Sequence, residues 1–382
     1  MAGTERIERI LIAADKFKGS LTAEQVAERV RAGLLAERPD LVVESLPIAD
    51  GGDGTVEAAL AAGFTAHRER VTGPLGAPVT ARFAVRGDTA VIEMAEASGL
   101  RLLPNRTFAP LTAGTRGTGE LIVAALDEGA RTIVLGVGGS ATTDGGAGML
   151  QALGARLLDA GGKQLPPGGA ALRDLARVDL SGLDTRLHAS RIILASDVDN
   201  PLTGPTGAAA VYGPQKGAGP ADVAALDAAL GVWARLLEEA AGARASGASG
   251  APGAGAAGGM GFGALAGLGA VFRPGVEVMM DVLGFHSALA RAELVITGEG
   301  SLDEQTLHGK APAGVAAAAG KVGTPVLAVC GRLAIDPATL REAGIGAAYA
   351  LTDLESDPEV CMAQAGPLLE RAARRLAVDH LG

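Results

Sequence analysis

Cysteine is nearly missing from this chain of 382 residues: Cys330 and Cys361 are the only two, and no C-x-x-C spacing occurs. That excludes a disulfide framework and a cysteine-based zinc or redox motif, and it points to a reducing cytoplasm. No run of Lys and Arg appears, and 43 acidic against 33 basic side chains leave a formal charge of -10. A duplex-binding surface needs a basic stripe that displaces counterions from phosphate, so nucleic acid is not an expected partner. No stretch supplies the roughly 18 uninterrupted apolar residues of a membrane span, and Met1 to Ile7 contain no apolar signal core. The expectation is a protein neither exported by a standard signal nor embedded in a membrane.

Several nucleotide and metal motifs are missing too. Gly309-Lys310 is followed by Ala311, and Glu304 rather than glycine stands where a Walker A loop begins. No G-x-G-x-x-G follows an N-terminal strand, which weakens a dinucleotide reading. The histidines His67, His188, His286, His308 and His380 form no H-E-x-x-H pair, so each reads as a surface or packed residue and zinc hydrolysis is not indicated.

What the chain has is glycine, 57 residues, about twice the ~7% of average usage. A GC-rich coding sequence accounts for part of this, but poorly for glycines clustered with Asp, Ser and Thr. Such glycines are tolerated where φ is positive or a ligand approaches the backbone closely. The length suits two domains with separate cores.

The apolar run Arg9 to Ala14 predicts a strand, and the Thr22-x-x-Gln25 capping box opens a helix to about Glu37. A second strand is expected over Leu41 to Pro47, and short strands at 78 to 86 and 89 to 94 turn at Gly87-Asp88. Helices follow near 117 to 128, 145 to 153 and 221 to 241, with strands Thr132 to Gly136 and Arg191 to Ser196. Residues 242 to 258 read as a flexible surface loop of low complexity. Strands Leu294 to Thr297 and Val326 to Val329 and a terminal helix from Pro358 to Ala377 resume the rhythm of a helix-covered parallel sheet. These patterns predict an α/β protein of two domains, a discontinuous one over 1–72 and 291–382 and an inserted one over 73–290.

Five polar loops follow predicted strands, where parallel sheets place ligands. Asp15-Lys16-Phe17-Lys18-Gly19-Ser20 sets an acid beside two lysines, and Ala49-Asp50-Gly51-Gly52-Asp53-Gly54-Thr55 packs two carboxylates into flexible backbone. Gly138 to Gly148 (GGSATTDGGAG) brings small residues to a helix start, where backbone N–H groups and the helix dipole favour an anion. Ser196-Asp197-Val198-Asp199-Asn200 leads on to Gly213-Pro214-Gln215-Lys216, oxygen ligands near a lysine as in a Mg-nucleotide site. Thr297-Gly298-Glu299-Gly300-Ser301-Leu302-Asp303, with Gly309-Lys310, repeats that mixture. Caps and turns explain one residue in each loop and leave the rest without a role.

These segments, with G-T-G-E-L-I at 117 to 122 and G-A-A-G-G-M-G-F-G at 255 to 263, occur in order from residue 15 to 312 and resemble the bacterial glycerate kinase family of the 2-kinase type. Two departures are Lys16, where related sequences often carry Ser, and Thr143, where Asn is frequent. The resemblance implies phosphorylation of D-glycerate by ATP with Mg2+, and two α/β domains with a cleft, the inserted one of flavodoxin-like topology. It leans toward the 2-hydroxyl; the 3-hydroxyl, a non-catalytic nucleotide- or sugar-acid-binding regulator, and a dehydrogenase remain alternatives. Candidate roles follow. Asp197 and Asp199 would serve the metal or the attacking hydroxyl, and Lys216 and Lys310 would steady phosphates. Asp15, Lys18, Asp50, Asp53 and Arg116 would bind glycerate, Arg116 because a guanidinium pairs bidentately with carboxylate. Gly138, Gly139, Ser140, Thr142, Asp144, Gly145, Glu299, Ser301 and Asp303 would bind the nucleotide or its phosphates. Oligomeric state is left open.

Overall fold

The run RILIAA forms the first strand, Arg9–Ala14, and all but its first residue are buried. The computed structural model describes residues 7–307 and 310–382; His308 and Gly309 lie outside them. In chain order the strands are β1 (Arg9–Ala14), β2 (Val42–Ser45), β3 (Thr65–Thr72), β4 (Pro78–Arg86), β5 (Thr89–Glu93), β6 (Thr132–Gly136) and β7 (Arg156–Leu158), followed by β8 (Arg177–Asp179), β9 (Arg191–Ala195), β10 (Val271–Arg273), β11 (Leu294–Leu302), β12 (Val326–Leu333) and β13 (Ala348–Ala350). The chain divides into two compact units, one of residues 1–50, 57–62 and 276–382, the other of residues 51–56 and 63–275.

The first unit is a five-stranded parallel sheet in the order β13-β12-β11-β1-β2. Counted within the unit, that is the 2-1-3-4-5 order of flavodoxin-like sheets. The helix Ala23–Glu37 starts at the expected capping box: Thr22 Oγ1 accepts from the Gln25 N–H, and Gln25 Oε1 accepts from the Thr22 N–H. It packs with the helix Ala365–Leu381 over Ile10, Ile12, Leu294 and Ile296 to form the core of this unit.

In the second unit a mixed sheet runs β10-β9-β6-β5-β4-β3. Strands β5, β6, β9 and β10 are parallel, while β3–β4 and β4–β5 are antiparallel. The flavodoxin-like order therefore belongs to the discontinuous unit, and the α/β inserted unit departs from it by this antiparallel hairpin edge. The unit bounds also differ from 72/73 and 290/291. The β3 strand, whose charged sequence TAHRERVT hides its character, pairs with β4. Val276 and Met280 instead pack near Gly314 in the first unit.

Two further expectations change. Residues 242 to 258 are not a loose loop: they form short helical turns that bury Ala245, Ala254 and Ala256. The polar segment Thr297 to Leu302 is not a loop either, since β11 continues through it, pairing Glu299 with Cys330 and Ser301 with Arg332 of β12. No helix among the described residues is long and apolar enough to cross a membrane.

Gly33 lies where the helices 23–37 and 365–381 meet: a Cβ there would stand 2.7 Å from the Ala373 Cβ and 3.1 Å from the Arg374 nitrogen. In an open helix, Gly→Ala stabilises by about 1 kcal/mol, but here overpacking, typically about 1–3 kcal/mol, outweighs it. Gly33→Ala should lower the unfolding free energy measured in denaturant, and an increase would show that the helix pair can separate freely.

Candidate active site

Helices connect β1 onward to β2 on one side and β11 onward to β12 on the other, so the first sheet reverses its strand order between β1 and β11. Parallel sheets bind ligands beyond the carboxyl ends of strands at such a reversal. The Asp15 N–H donates to the Gly298 carbonyl at 2.8 Å, carrying the pairing one residue past β1. Asp15 thus stands just past the end of β1, beside the part of β11 that carries Glu299. Burial first, and the nearby Asp50 charge second, push the Asp15 carboxyl up to about 7, although its Oδ1 accepts the Lys16 N–H at 2.6 Å. Burial also raises Glu299, opposed by the Thr306 hydroxyl that donates to it and by Lys310. The Lys310 Nζ lies 3.8 Å from Glu299 Oε2 and 3.9 Å from Asp303 Oδ1. The structure therefore brings Asp15, Asp50, Glu299, Asp303 and Lys310 together in this unit. Ser301 lies on the same strand as Glu299, whereas Lys18 is exposed.

The second unit gathers the Gly138 to Gly148 loop, which follows β6. Its inner half is closed. Thr142, Thr143 and Asp144 are buried, and the Asp144 carboxylate accepts from the Thr115 N–H (2.8 Å), the Thr115 hydroxyl (2.9 Å), and the N–H groups of Gly146 and Gly148 (both 3.2 Å). The N–H groups expected to cradle an external anion thus serve an internal one, and Gly145 donates its own to the Gly258 carbonyl. Trp233, the only tryptophan, donates its indole N–H to the Gly145 carbonyl at 2.9 Å. Lys216 is also buried, its Nζ 2.5 Å from the Thr142 carbonyl, and burial pushes the amine down to about 7.

The outer half of the loop differs. Gly139 is exposed, Ser140 is buried, and Gly138 approaches Gly52 so closely that a Cβ would stand 2.5 Å from the Gly52 Cα. A Cβ on Gly139 would meet the Asp53 carboxylate first, which places Asp53 against this loop. The 49–55 loop is therefore shared: Asp50 lies in the first unit and Asp53 in the second.

Asp197 and Asp199 are exposed beyond β9; Asp197 Oδ1 accepts the Gly275 N–H at 2.8 Å. Neighbouring Asn200 accepts from the Tyr212 hydroxyl at 2.6 Å. Among the described residues, no group of three His, Cys, Asp or Glu converges as a metal centre. Arg116 is exposed and paired with Glu120, Nε to Oε1 at 3.1 Å.

Sequence reasoning missed Glu93, Arg101 and Thr306. Glu93 ends the otherwise apolar β5 and is only 2% exposed, yet its carboxyl accepts N–H groups from the 51–56 segment. An acid closing a buried strand was the signal available for it; Arg101 carries no motif, and Thr306 lies in the polar segment that begins at Thr297 but was given no role.

The chain matches the model of the glycerate kinase family over residues 10–380. It is 47% identical over 374 residues to a glycerate kinase of Bacillus subtilis (strain 168), covering 97% of each chain. It is 45% identical over 354 residues to a glycerate 2-kinase of Escherichia coli (strain K12), covering 90% of each. A crystal structure of a Salmonella typhimurium LT2 protein, provisionally named glycerate kinase 2, superposes with a TM-score of 0.85 at 44% identity over 98% of both chains. With motifs from residue 15 to 312 in order and the match running nearly end to end, the chain belongs to the glycerate kinase family of phosphotransferases.

Proposed function

We propose that this enzyme transfers the γ-phosphoryl group of ATP to the 2-hydroxyl of D-glycerate, with Mg2+ accompanying the nucleotide, in the cytoplasm. The observation that carries this reading is the Asp15–Asp50 pair at the strand-order reversal, where like charge and burial hold a proton on Asp15 up to about pH 7. A divalent cation relieves such repulsion, and Mg2+ at phosphoryl-transfer sites is held by one or two carboxylates together with substrate phosphates. The donor set fits: hard oxygen ligands beside a lysine. When bound, Mg2+ would neutralise phosphate charge. The assignment to the 2-hydroxyl is supported by the relative from Escherichia coli that is named glycerate 2-kinase.

Phosphoryl transfer needs positioning and charge neutralisation more than covalent help. Asp15 and Asp50 are the candidates to hold the cation, and Lys310, which faces Glu299 and Asp303, is the cation for a phosphate oxygen. Lys216 takes a different part from the one expected: buried on the Thr142 carbonyl, it supports the glycine-rich loop from beneath. The outer residues Gly138, Gly139 and Ser140 remain candidates for an anion, and Asp53 for glycerate hydroxyls. Asp197 and Asp199 remain candidates for orienting the attacking hydroxyl.

Purified protein given Mg-ATP, D-glycerate and enolase without phosphoglycerate mutase should yield phosphoenolpyruvate. A requirement for mutase would mean phosphorylation at the 3-hydroxyl, and absence of glycerate-dependent ADP would leave a binding protein. Replacing Asp197 with Asn, which keeps an acceptor for the Gly275 N–H, should abolish turnover while the fold persists; near-normal turnover removes Asp197 from the reaction.

Only ionised Asp15 binds a cation, so kcat/KM for Mg-ATP should rise through about pH 7 and level off above it. A flat profile between pH 5.5 and 8.5 would sink the role given to Asp15. Asp15→Asn should lower kcat/KM by roughly 100-fold or more. Folded Asp15 keeps its proton to about 7, whereas the unfolded side chain loses it near ~4. The folded state is therefore the better proton binder in that window, and stability falls as pH rises across it. The melting temperature of Asp15→Asn relative to wild type should accordingly increase between pH 5 and pH 8.

A further inference from the structure

The Gly51–Val56 segment carries Asp53, lies outside the strands and closely approaches the glycine-rich loop, Gly52 at Gly138 and Asp53 at Gly139. Two of its backbone N–H groups are held from the end of β5. Glu93 Oε2 accepts the Gly54 N–H at 3.0 Å and the Val56 N–H at 3.4 Å. Glu93 is the last residue of β5, in register with Gly136 at the end of β6, and the Met94 N–H donates to the Gly136 carbonyl at 3.0 Å. The carboxyl ends of two paired strands therefore carry both the acceptor for the segment and the start of the glycine-rich loop.

The other oxygen, Oε1, has no hydrogen-bond partner and faces the Arg101 Nη1 at 3.8 Å. Arg101 is fixed in turn by Glu96, which also accepts the Arg82 N–H at 3.1 Å and pairs with its guanidinium at 3.1 Å. The buried carboxyl thus lies between a guanidinium held by its own partners and two N–H groups of the segment that carries Asp53.

We infer that Glu93 is a positioning residue of the kinase reaction, fixing the Gly51–Val56 segment so that the Asp53 carboxylate is held against the Gly138–Gly139 turn. The inference rests on the proposed glycerate kinase activity for its catalytic consequence, but not for the hydrogen bonds themselves. A carboxyl is suited to this part because one oxygen can accept two N–H groups while the other meets the guanidinium. Glutamine keeps the accepting oxygen; methionine fills nearly the same volume and accepts nothing.

Glu93→Met and Glu93→Gln in the full chain test this by amide hydrogen exchange and by steady-state kinetics with Mg-ATP and D-glycerate. Exchange is read in peptides covering residues 49–58 and, as controls, 132–136 and 365–381. Glu93→Met should speed exchange at 49–58 alone and lower kcat/KM for glycerate by about 50-fold or more, as expected when a misplaced group costs on the order of 100-fold. Glu93→Gln should restore protection and bring kcat/KM to within about 5-fold of wild type. Unchanged exchange at 49–58 in Glu93→Met overturns the inference, as does faster exchange in the 132–136 control, which marks Glu93 as a general support of the unit. Faster local exchange with kcat/KM near wild type overturns the link to Asp53. If Glu93→Met yields no folded protein, Glu93→Gln alone decides: loss of protection at 49–58 despite a retained acceptor oxygen refutes the bond. If wild type shows no glycerate-dependent turnover, the kinase reading falls and exchange alone judges whether Glu93 holds the segment.

Discussion

The Asp144 carboxylate is the interaction on which the second unit depends. Burial pushes the Asp144 pKa up, and the hydrogen bonds it accepts oppose that shift. Four such bonds reach Asp144, two from Thr115 and two from the backbone of Gly146 and Gly148. They tie the start of the helix Arg116–Asp127 to the loop after β6 and fix the path of that loop. The Gly145 carbonyl is then in place for Trp233, and the Thr142 carbonyl for Lys216. Removing the carboxylate would leave buried donors around it unsatisfied and the Lys216 amine without its nearest opposite charge. The loop that looks built to receive an anion owes its shape to one the chain provides.

The carboxylates of the first unit are treated differently. Asp15 accepts an N–H from its neighbour Lys16, and burial first, with the Asp50 charge second, holds its proton. Glu299 receives a hydroxyl and a distant lysine. Acids whose donors are supplied by the fold serve as scaffold, and acids left in mutual repulsion at the end of a parallel sheet are where a cation or a substrate has something to gain. By this criterion Asp144 belongs to the frame and Asp15 is the one proposed for the chemistry, although the sequence presents both as aspartates in glycine-containing loops.

That distinction explains what could be read before the structure. The strand Arg9–Ala14 and the Thr22–Gln25 capping box were legible because burial and capping leave local signatures. So was the strand Thr132–Gly136, a short apolar run with polar loops on both sides. The β3 strand was not, because an edge strand facing water alternates charges without an apolar stripe. The continuation of β11 through Gly298 and Gly300 was hidden by glycines that propensity assigns to loops, whereas pairing with β12 decides the matter. The motifs drew attention to these loops, but motif order carries no information about donors. Which oxygen of Asp144 meets Thr115, or that Glu93 reaches Gly54 from 39 residues away in sequence, is settled only by packing.

Proton linkage joins the two kinds of buried charge. Lys216, pushed down to about 7 by burial, binds its proton less well when folded than in the unfolded chain, so its contribution to stability rises with pH from about 7 toward the ordinary lysine range near ~10.4. Asp15 acts in the opposite sense, and its contribution is lost between ~4 and about 7. Around neutral pH the fold therefore bears both penalties together. The one at Lys216 is internal, since the amine is already committed to the Thr142 carbonyl. The one at Asp15 can be relieved from outside, because a ligand that binds only the charged form stabilises the folded state by its own binding free energy. A cation held by Asp15 and Asp50 would thus stabilise the chain most above about pH 7, where it no longer has to displace the Asp15 proton.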